Sequence, residues 1–226
     1  MRKNKIVTTE DILITLCKSV SEILSKATGS KVTYSAMVQK ITRTCLKPDV
    51  ACFVLFDGGF NGIVVNNFTS DAAIEIYRDY MKNMGMPESE ISQSYMADDV
   101  ANVLGELMNQ CVGGFTHKIK NELQTNITQS QPKMLVISKS VNISIDTVME
   151  RPQARRVSFS TSENNIFYLE LAMDKTEFIK LHDFELEDEF DPDDIIASSQ
   201  SEKNTKDKTQ TLTDNADDDF MAELGL

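Results

Sequence analysis

The chain has 226 residues with 35 acidic and 23 basic side chains, a formal net charge of −12. Fifteen of the acids but only three lysines lie from Asp183 onward, which leaves 20 acidic and 20 basic residues to positions 1–182. A neutral first part with an acidic end gives no electrostatic basis for nucleic-acid binding, which depends on surplus Lys and Arg.

In chain order, Thr8-Thr9-Glu10-Asp11 reads as a helix start, a hydroxyl cap followed by acids where the helix dipole favours them. Leu13, Leu16, Cys17, Val20, Ile23 and Leu24 continue it as an amphipathic helix that stops near Gly29. Val32 to Cys45, rich in β-branched residues and partly alternating, predicts a strand. After Pro48, Val50 to Phe56 predicts a strand buried on both faces, and Asp57-Gly58-Gly59 a tight reversal into a partner strand, Phe60 to Phe68. Thr69-Ser70-Asp71 caps a second helix whose buried side is Ala72, Ile76, Tyr80 and Met84, ended by Gly85 and Pro87. Met134 to Ile145, Val157 to Ser162 and Asn165 to Met173 predict three more strands. Glu163-Asn164-Asn165 turns between the last two, and the basic run Arg151 to Arg156 reads as a loop.

Between these lies the longest helical pattern, Asp98 to Leu123. Val100, Leu104, Leu107, Cys111, Phe115, Ile119 and Leu123 form one apolar stripe. At about 100° per residue, Asn102, Glu106, Asn109 and Gly113 fall on the opposite side, within roughly 60° of one another. Glu106 and Asn109 form the only Glu-x-x-Asn in the sequence, so a carboxylate and a carboxamide project from one patch of helix surface. Such residues are commonplace on solvated helices. Without a second acid, a histidine or a metal set nearby they are not a self-sufficient catalytic apparatus.

The four cysteines (Cys17, Cys45, Cys52, Cys111) have no C-x-x-C or metal-ligand spacing, and His117 and His182 stand far apart. A zinc site or a histidine triad is therefore not expected. No apolar run approaches a membrane span, and the basic N-terminus is not followed by an apolar signal core. The expectation is a reduced, soluble, cytoplasmic protein without membrane contact. From Asp183 the composition is that of a disordered acidic tail, giving a domain over 1–182 and a tail over 183–226. Within 217–226, Phe220, Met221 and Leu224 have the helical spacing of a segment that folds into another protein's groove, against the plainer reading of a solubilising tail.

Leu104-Gly105-Glu106-Leu107-Met108-Asn109, with Gly113 and then Pro132 after a gap of 22 residues, resembles the signature of the CheC/CheX/FliY chemotaxis phosphatases. That pattern is Asp or Ser, three residues, Glu, two residues, Asn, 22 residues and Pro. The segment from Asp57-Gly58-Gly59 through Tyr77 is similar to the CheX passage from a Gly-Gly turn through a strand into a helix, and the resemblance spans roughly residues 8–175. It departs at the leading position, where Asn102 stands for Asp or Ser. The resemblance implies an α+β, CheC-like/CheX-like fold, a largely antiparallel sheet packed with long helices.

It also implies a phosphatase acting on the aspartyl phosphate of a CheY-like response regulator in two-component signalling. Asn109 would align the attacking water and Glu106 would pair with the regulator's lysine, while Asn102 and Gly113 would lie in the docking surface. No cofactor of the chain's own is implied, Mg²⁺ being carried by the receiver domain. The first helix offers only Glu22-Ile-Leu-Ser25, so one site per chain is expected. Single-site CheX-like proteins are dimers, which extends the expectation to a homodimer. The alternative is a non-catalytic adaptor that binds a receiver domain or flagellar-switch component through the same helix. A third reading has the end of the tail covering the Glu106/Asn109 face.

Overall fold

A computed structural model of the chain describes residues 6–145 and 148–179. In chain order the elements are β1 (Ile6–Thr8), α1 (Thr9–Thr28), β2 (Thr33–Tyr34), β3 (Gln39–Ile41), β4 (Thr44–Leu46), β5 (Val50–Gly58), β6 (Gly62–Phe68), α2 (Ser70–Asn83), α3 (Asp98–Leu123), β7 (Ile127–Gln129), β8 (Lys133–Val136), β9 (Ile143–Ile145), β10 (Pro152–Ser160), β11 (Ile166–Asp174) and β12 (Glu177–Ile179). The expected acidic tail lies outside the described residues.

The helix boundaries follow local chemistry. The Thr8 hydroxyl accepts from the Asp11 N–H, and the Asp11 carboxylate accepts from the Thr8 N–H at 2.8 Å, a reciprocal cap on α1. This satisfies donors the helix itself leaves open. Gly29, at φ 69°, ends the helix in the left-handed conformation that glycine adopts without strain. The Thr69 hydroxyl caps α2 by accepting from the Ala72 N–H.

The main sheet is antiparallel in the order β2-β10-β11-β6-β5-β7, with β3 also on β10 and β8 also on β5. Side chains alternate across it. Val50, Cys52, Val54 and Phe56 of β5, with Val64 and Phe68 of β6 and Phe167, Leu169 and Leu171 of β11, face the three helices and form the principal core. On the other face Ala51, Ile63, Val65, Ala154 and Ala172 pack with Leu46 and Ile145 of the β4–β9 pair, a second, smaller core. This explains the two-sided burial of β5, where Ala51 and Cys52 are both inaccessible. The second core does not reach the hairpin, and Leu55 stays 46% exposed.

Several elements differ from the sequence reading. Val32 to Cys45 is not one strand but β2, β3 and β4. The first two pair with β10, and β4 leaves that sheet to pair with β9. Met134 to Ile145 is likewise split into β8 and β9. The basic run 151–156 is not a loop, because β10 begins at Pro152 and its arginines pair with carboxylates of α1 and β11. Arg155, 7% exposed, pairs with Glu10 at 2.8 Å, and Arg156 pairs with the fully buried Glu170 at 2.7 Å. Glu170 also accepts from the Cys45 N–H at 3.0 Å, so it holds β4 to the sheet. Met84 is 68% exposed because α2 ends before it, and Ala73 and Tyr77 complete the buried side instead. The pairing of β1 with β12 had no signal in the sequence.

Candidate functional site

α3 has 26 residues, about 39 Å at 1.5 Å per residue. Its buried side is Val100, Leu104, Leu107, Met108, Cys111, Val112, Phe115 and Ile119. Asn102 and Glu106 are exposed, and Asn109 and Gly113 are half-buried. The structure thus brings the four sequence-predicted residues onto one side of one helix, with the carboxylate of Glu106 a turn from the amide of Asn109.

Their surroundings differ. Glu106 Oε1 accepts from Gln110 Nε2 at 3.1 Å along the helix. Asn109 is tied to the sheet, its Oδ1 accepting from Gln129 Nε2 at 3.1 Å and its main-chain oxygen from the same nitrogen at 3.4 Å. Among the described residues neither the Asn109 amide nitrogen nor the Asn102 side chain makes a hydrogen bond.

Gln129 is the residue that the sequence reading did not single out, and the chain between it and Pro132 explains its placement. Gln129 lies opposite Phe56, and Lys133 lies opposite Phe53. Three residues, Ser130 to Pro132, therefore face two, Val54 and Leu55, which is a β-bulge. Pro132 has no N–H to contribute to a ladder, and the bulge is a position where none is needed. Ser130 fills the gap instead, its N–H donating to the Leu55 carbonyl at 2.8 Å and its hydroxyl accepting from the Leu55 N–H at 3.0 Å. The extra residue reverses the alternation. Ile127 and Gln129 face α3 before the bulge, and after it Met134 packs on the helix-side core while Leu135 joins the second core.

The three glycines of α3 have separate roles. A Cβ on Gly105 would stand 3.2 Å from Met134 Cγ, so this glycine lets β8 approach the helix. A Cβ on Gly114 would stand 2.7 Å from Ile23 Cδ1 and 2.9 Å from Ser19 Oγ, which makes it the close-packing residue between α1 and α3. A Cβ on Gly113 would meet only Gln129 Nε2, at an ordinary 3.9 Å.

The corresponding residues of α1 are engaged internally. Glu22 pairs with Lys118 at 2.6 Å. The Ser25 hydroxyl accepts from the Val32 N–H at 2.9 Å, and the Ser21 hydroxyl donates to the Val32 carbonyl at 2.6 Å. Among the described residues no three His, Cys, Asp or Glu side chains come together as a metal-ligand set, and no helix is long and apolar enough to cross a membrane.

No curated protein matches the sequence. Solved structures do. The chemotaxis protein CheX from Desulfovibrio desulfuricans superposes with a TM-score of 0.59 at 18% identity, over 73% of this chain and 99% of that one. A chain of the CheX–CheY–BeF3–Mg complex from Borrelia burgdorferi gives 0.51 at 15% identity, over 73% of this chain and 98% of that one. FliY from Thermotoga maritima gives 0.53 at 16% identity, over 74% of this chain and 90% of that one. The fold is therefore CheX/CheC-like, as the spaced Glu-x-x-Asn and proline implied. In sequence, a family profile described as "Protein of unknown function (DUF3334)" matches residues 3–226, and the chain belongs to that family.

Proposed function

We propose that the chain is a phosphatase for the aspartyl phosphate of a CheY-like response regulator, and that it docks through the exposed side of α3. The observation that carries this reading is the pairing of Glu106 and Asn109 a turn apart on that side, with the Asn109 amide held at its oxygen and open at its nitrogen. The fold likeness to CheX, which in one solved structure accompanies CheY, BeF3 and Mg, supports the same partner.

In the proposed reaction a water attacks phosphorus, the bond from phosphorus to the aspartyl oxygen breaks, and inorganic phosphate and a free carboxylate leave. Asn109 aligns the water, since a carboxamide both donates and accepts. Glu106 pairs with a lysine of the regulator and fixes the register of docking. Asn102 and Gly113 lie in the same docking surface. Neither Glu106 nor Asn109 has to gain or lose a proton, because alignment is the main demand of a loose phosphoryl-transfer transition state. The chain supplies no cofactor, and the Mg²⁺ belongs to the receiver domain. The setting is the cytoplasm, where receiver domains are charged.

Asn102, in place of the signature's acid or serine, favours a second reading, an adaptor that docks on a receiver domain without hydrolysis. The two separate in one assay, decay of acetyl-phosphate-charged receiver domains in Mg²⁺ buffer with and without the protein. Acceleration that is lost in Asn109→Ala, with receiver binding retained, is the expected result. Glu106→Ala is expected to weaken binding as well. Native rates in both variants would overturn the site assignment, and binding without acceleration would establish the adaptor.

A further inference from the structure

We propose that Gln129 is a positioning residue that holds the Asn109 amide in its working orientation. The catalytic consequence rests on the phosphatase reading, whereas the contact itself does not. The terminal torsion of an asparagine is soft and broadly populated. An exposed amide free to turn would spend little time aligned on a water, and misplacement at an ångström scale costs orders of magnitude in rate. Asn109 is not free to turn. A single nitrogen, Gln129 Nε2, donates to its Oδ1 at 3.1 Å and to its main-chain oxygen at 3.4 Å, bracing the side chain against its own backbone.

The brace is itself fixed. Gln129 lies in the β5–β7 ladder opposite Phe56, and its Oε1 stands 3.5 Å from Thr116 Oγ1, whose proton goes to the Gly113 carbonyl at 2.9 Å. The Gln129 side chain crosses α3 at Gly113, where even an added Cβ would stand at an ordinary 3.9 Å from its Nε2. The bulge at Ser130–Pro132 lets Gln129 face α3 while the strand beyond it resumes in the opposite phase. One lone pair of Asn109 Oδ1 is thereby occupied. The other lone pair and both N–H bonds remain for the water and the regulator.

The test uses the full chain with Gln129→Ala and the isosteric Gln129→Glu. Turnover of a charged receiver domain is read as kcat and KM, and the Asn109 side-chain amide is followed by NMR, with the unbonded Asn102 as internal reference. In Gln129→Ala the Asn109 amide is expected to gain mobility towards that of Asn102. The kcat is expected to fall on the order of tenfold or more with KM unmoved, the signature of lost alignment without lost docking. In Gln129→Glu the carboxylate repels Oδ1 and accepts from the amide nitrogen instead. The Asn109 amide then stays ordered, with its resonance displaced, and kcat falls although the volume is unchanged.

An Asn109 signal indifferent to both substitutions would overturn the proposal. So would a raised KM with native kcat, which would make Gln129 a docking contact. If the wild-type chain accelerates decay of no receiver, the phosphatase reading fails and takes the catalytic role of Gln129 with it. The NMR comparison then reports separately whether Gln129 holds Asn109.

Discussion

Adjacent glycines on α3 give opposite expectations for the same substitution. At Gly113 an added Cβ meets only Gln129 Nε2 at 3.9 Å, so alanine fits without displacing anything. What remains is the helix propensity difference, about 0.5–1 kcal/mol in favour of alanine, or roughly 1–4 °C in Tm for a domain of this size. At Gly114 the Cβ would stand 2.7 Å from Ile23 Cδ1 and 2.9 Å from Ser19 Oγ. The Ile23 methyl is the far end of a flexible side chain and can swing away. Ser19 cannot do so cheaply, because its hydroxyl donates to the Cys111 carbonyl at 2.9 Å across the α1–α3 interface.

Overpacking of that kind costs about 1–3 kcal/mol, which outweighs the propensity gain and lowers Tm by several degrees. Thermal melts of Gly113→Ala and Gly114→Ala measure the two signs directly. Ser19→Ala removes the clashing Oγ, so Gly114→Ala should cost less in that background than alone, a coupling between neighbours that a double-mutant cycle reads. The reasoning fails if Gly113→Ala lowers Tm, or if both glycines move it the same way.

Two further expectations concern the scaffold. Glu75 is 2% exposed, and burial alone would raise its pKa, but donors from Thr161, Glu163, Asn165 and Ser162 around the β10–β11 turn bring it below the usual 4.5. A carboxyl with a depressed folded pKa stabilises above its unfolded pKa and loses that contribution as pH falls through the folded value. Glu75→Gln should therefore cost about 1–3 kcal/mol near neutral pH, and the gap to wild type should narrow below about pH 4.5 in denaturant titrations. A gap that widens on acidification would contradict it. Among the thiols, burial pushes Cys17 and Cys52 up to about 12 and Cys111 upward too, whereas Cys45 is only partly buried. A neutral thiol reagent should thus label Cys45 quickly and the other three only on unfolding. Two or more fast thiols in the native protein would refute the packing of α1 and α3 on β5.

What was legible in the sequence was what local chemistry decides. Thr8 with Asp11, Gly29, Thr69 and the apolar stripe of α3 set helix boundaries within a few residues, and that stripe also fixed which side Asn102, Glu106, Asn109 and Gly113 would take. What was not legible depends on partners far away in the chain. Ile127-Thr128-Gln129 is too short to show alternation, and it is a strand only because Phe56 to Gly58 lie beside it. The arginines of β10 read as a solvated loop because the carboxylates that accept them, Glu10 and Glu170, lie 145 and 14 residues away. Gln129 had no signal of its own. Its nearest clue was Pro132, whose physical place is the bulge that ends β7.

The contrast between α1 and α3 shows why one helix carries the candidate site. Both are long and amphipathic, and they pack on each other through Gly114, Ser19 and the Glu22–Lys118 pair. That ion pair is well exposed on both sides, so its contribution is at most about 1 kcal/mol and does not by itself tie up Glu22. The decisive difference is at the next turn. The Ser25 hydroxyl accepts from the Val32 N–H, and Ser21 donates to the Val32 carbonyl, so this side of α1 holds the chain entering β2. On α3 the equivalent turn meets a strand edge, where Gln129 takes the oxygen of Asn109 and leaves its nitrogen open. The Ser25 hydroxyl also gives its own proton to the Val32 carbonyl at 3.4 Å, which leaves it no donor for a water. Under the proposed phosphatase reading, a carboxamide braced at its oxygen keeps both N–H bonds and one lone pair to align a water.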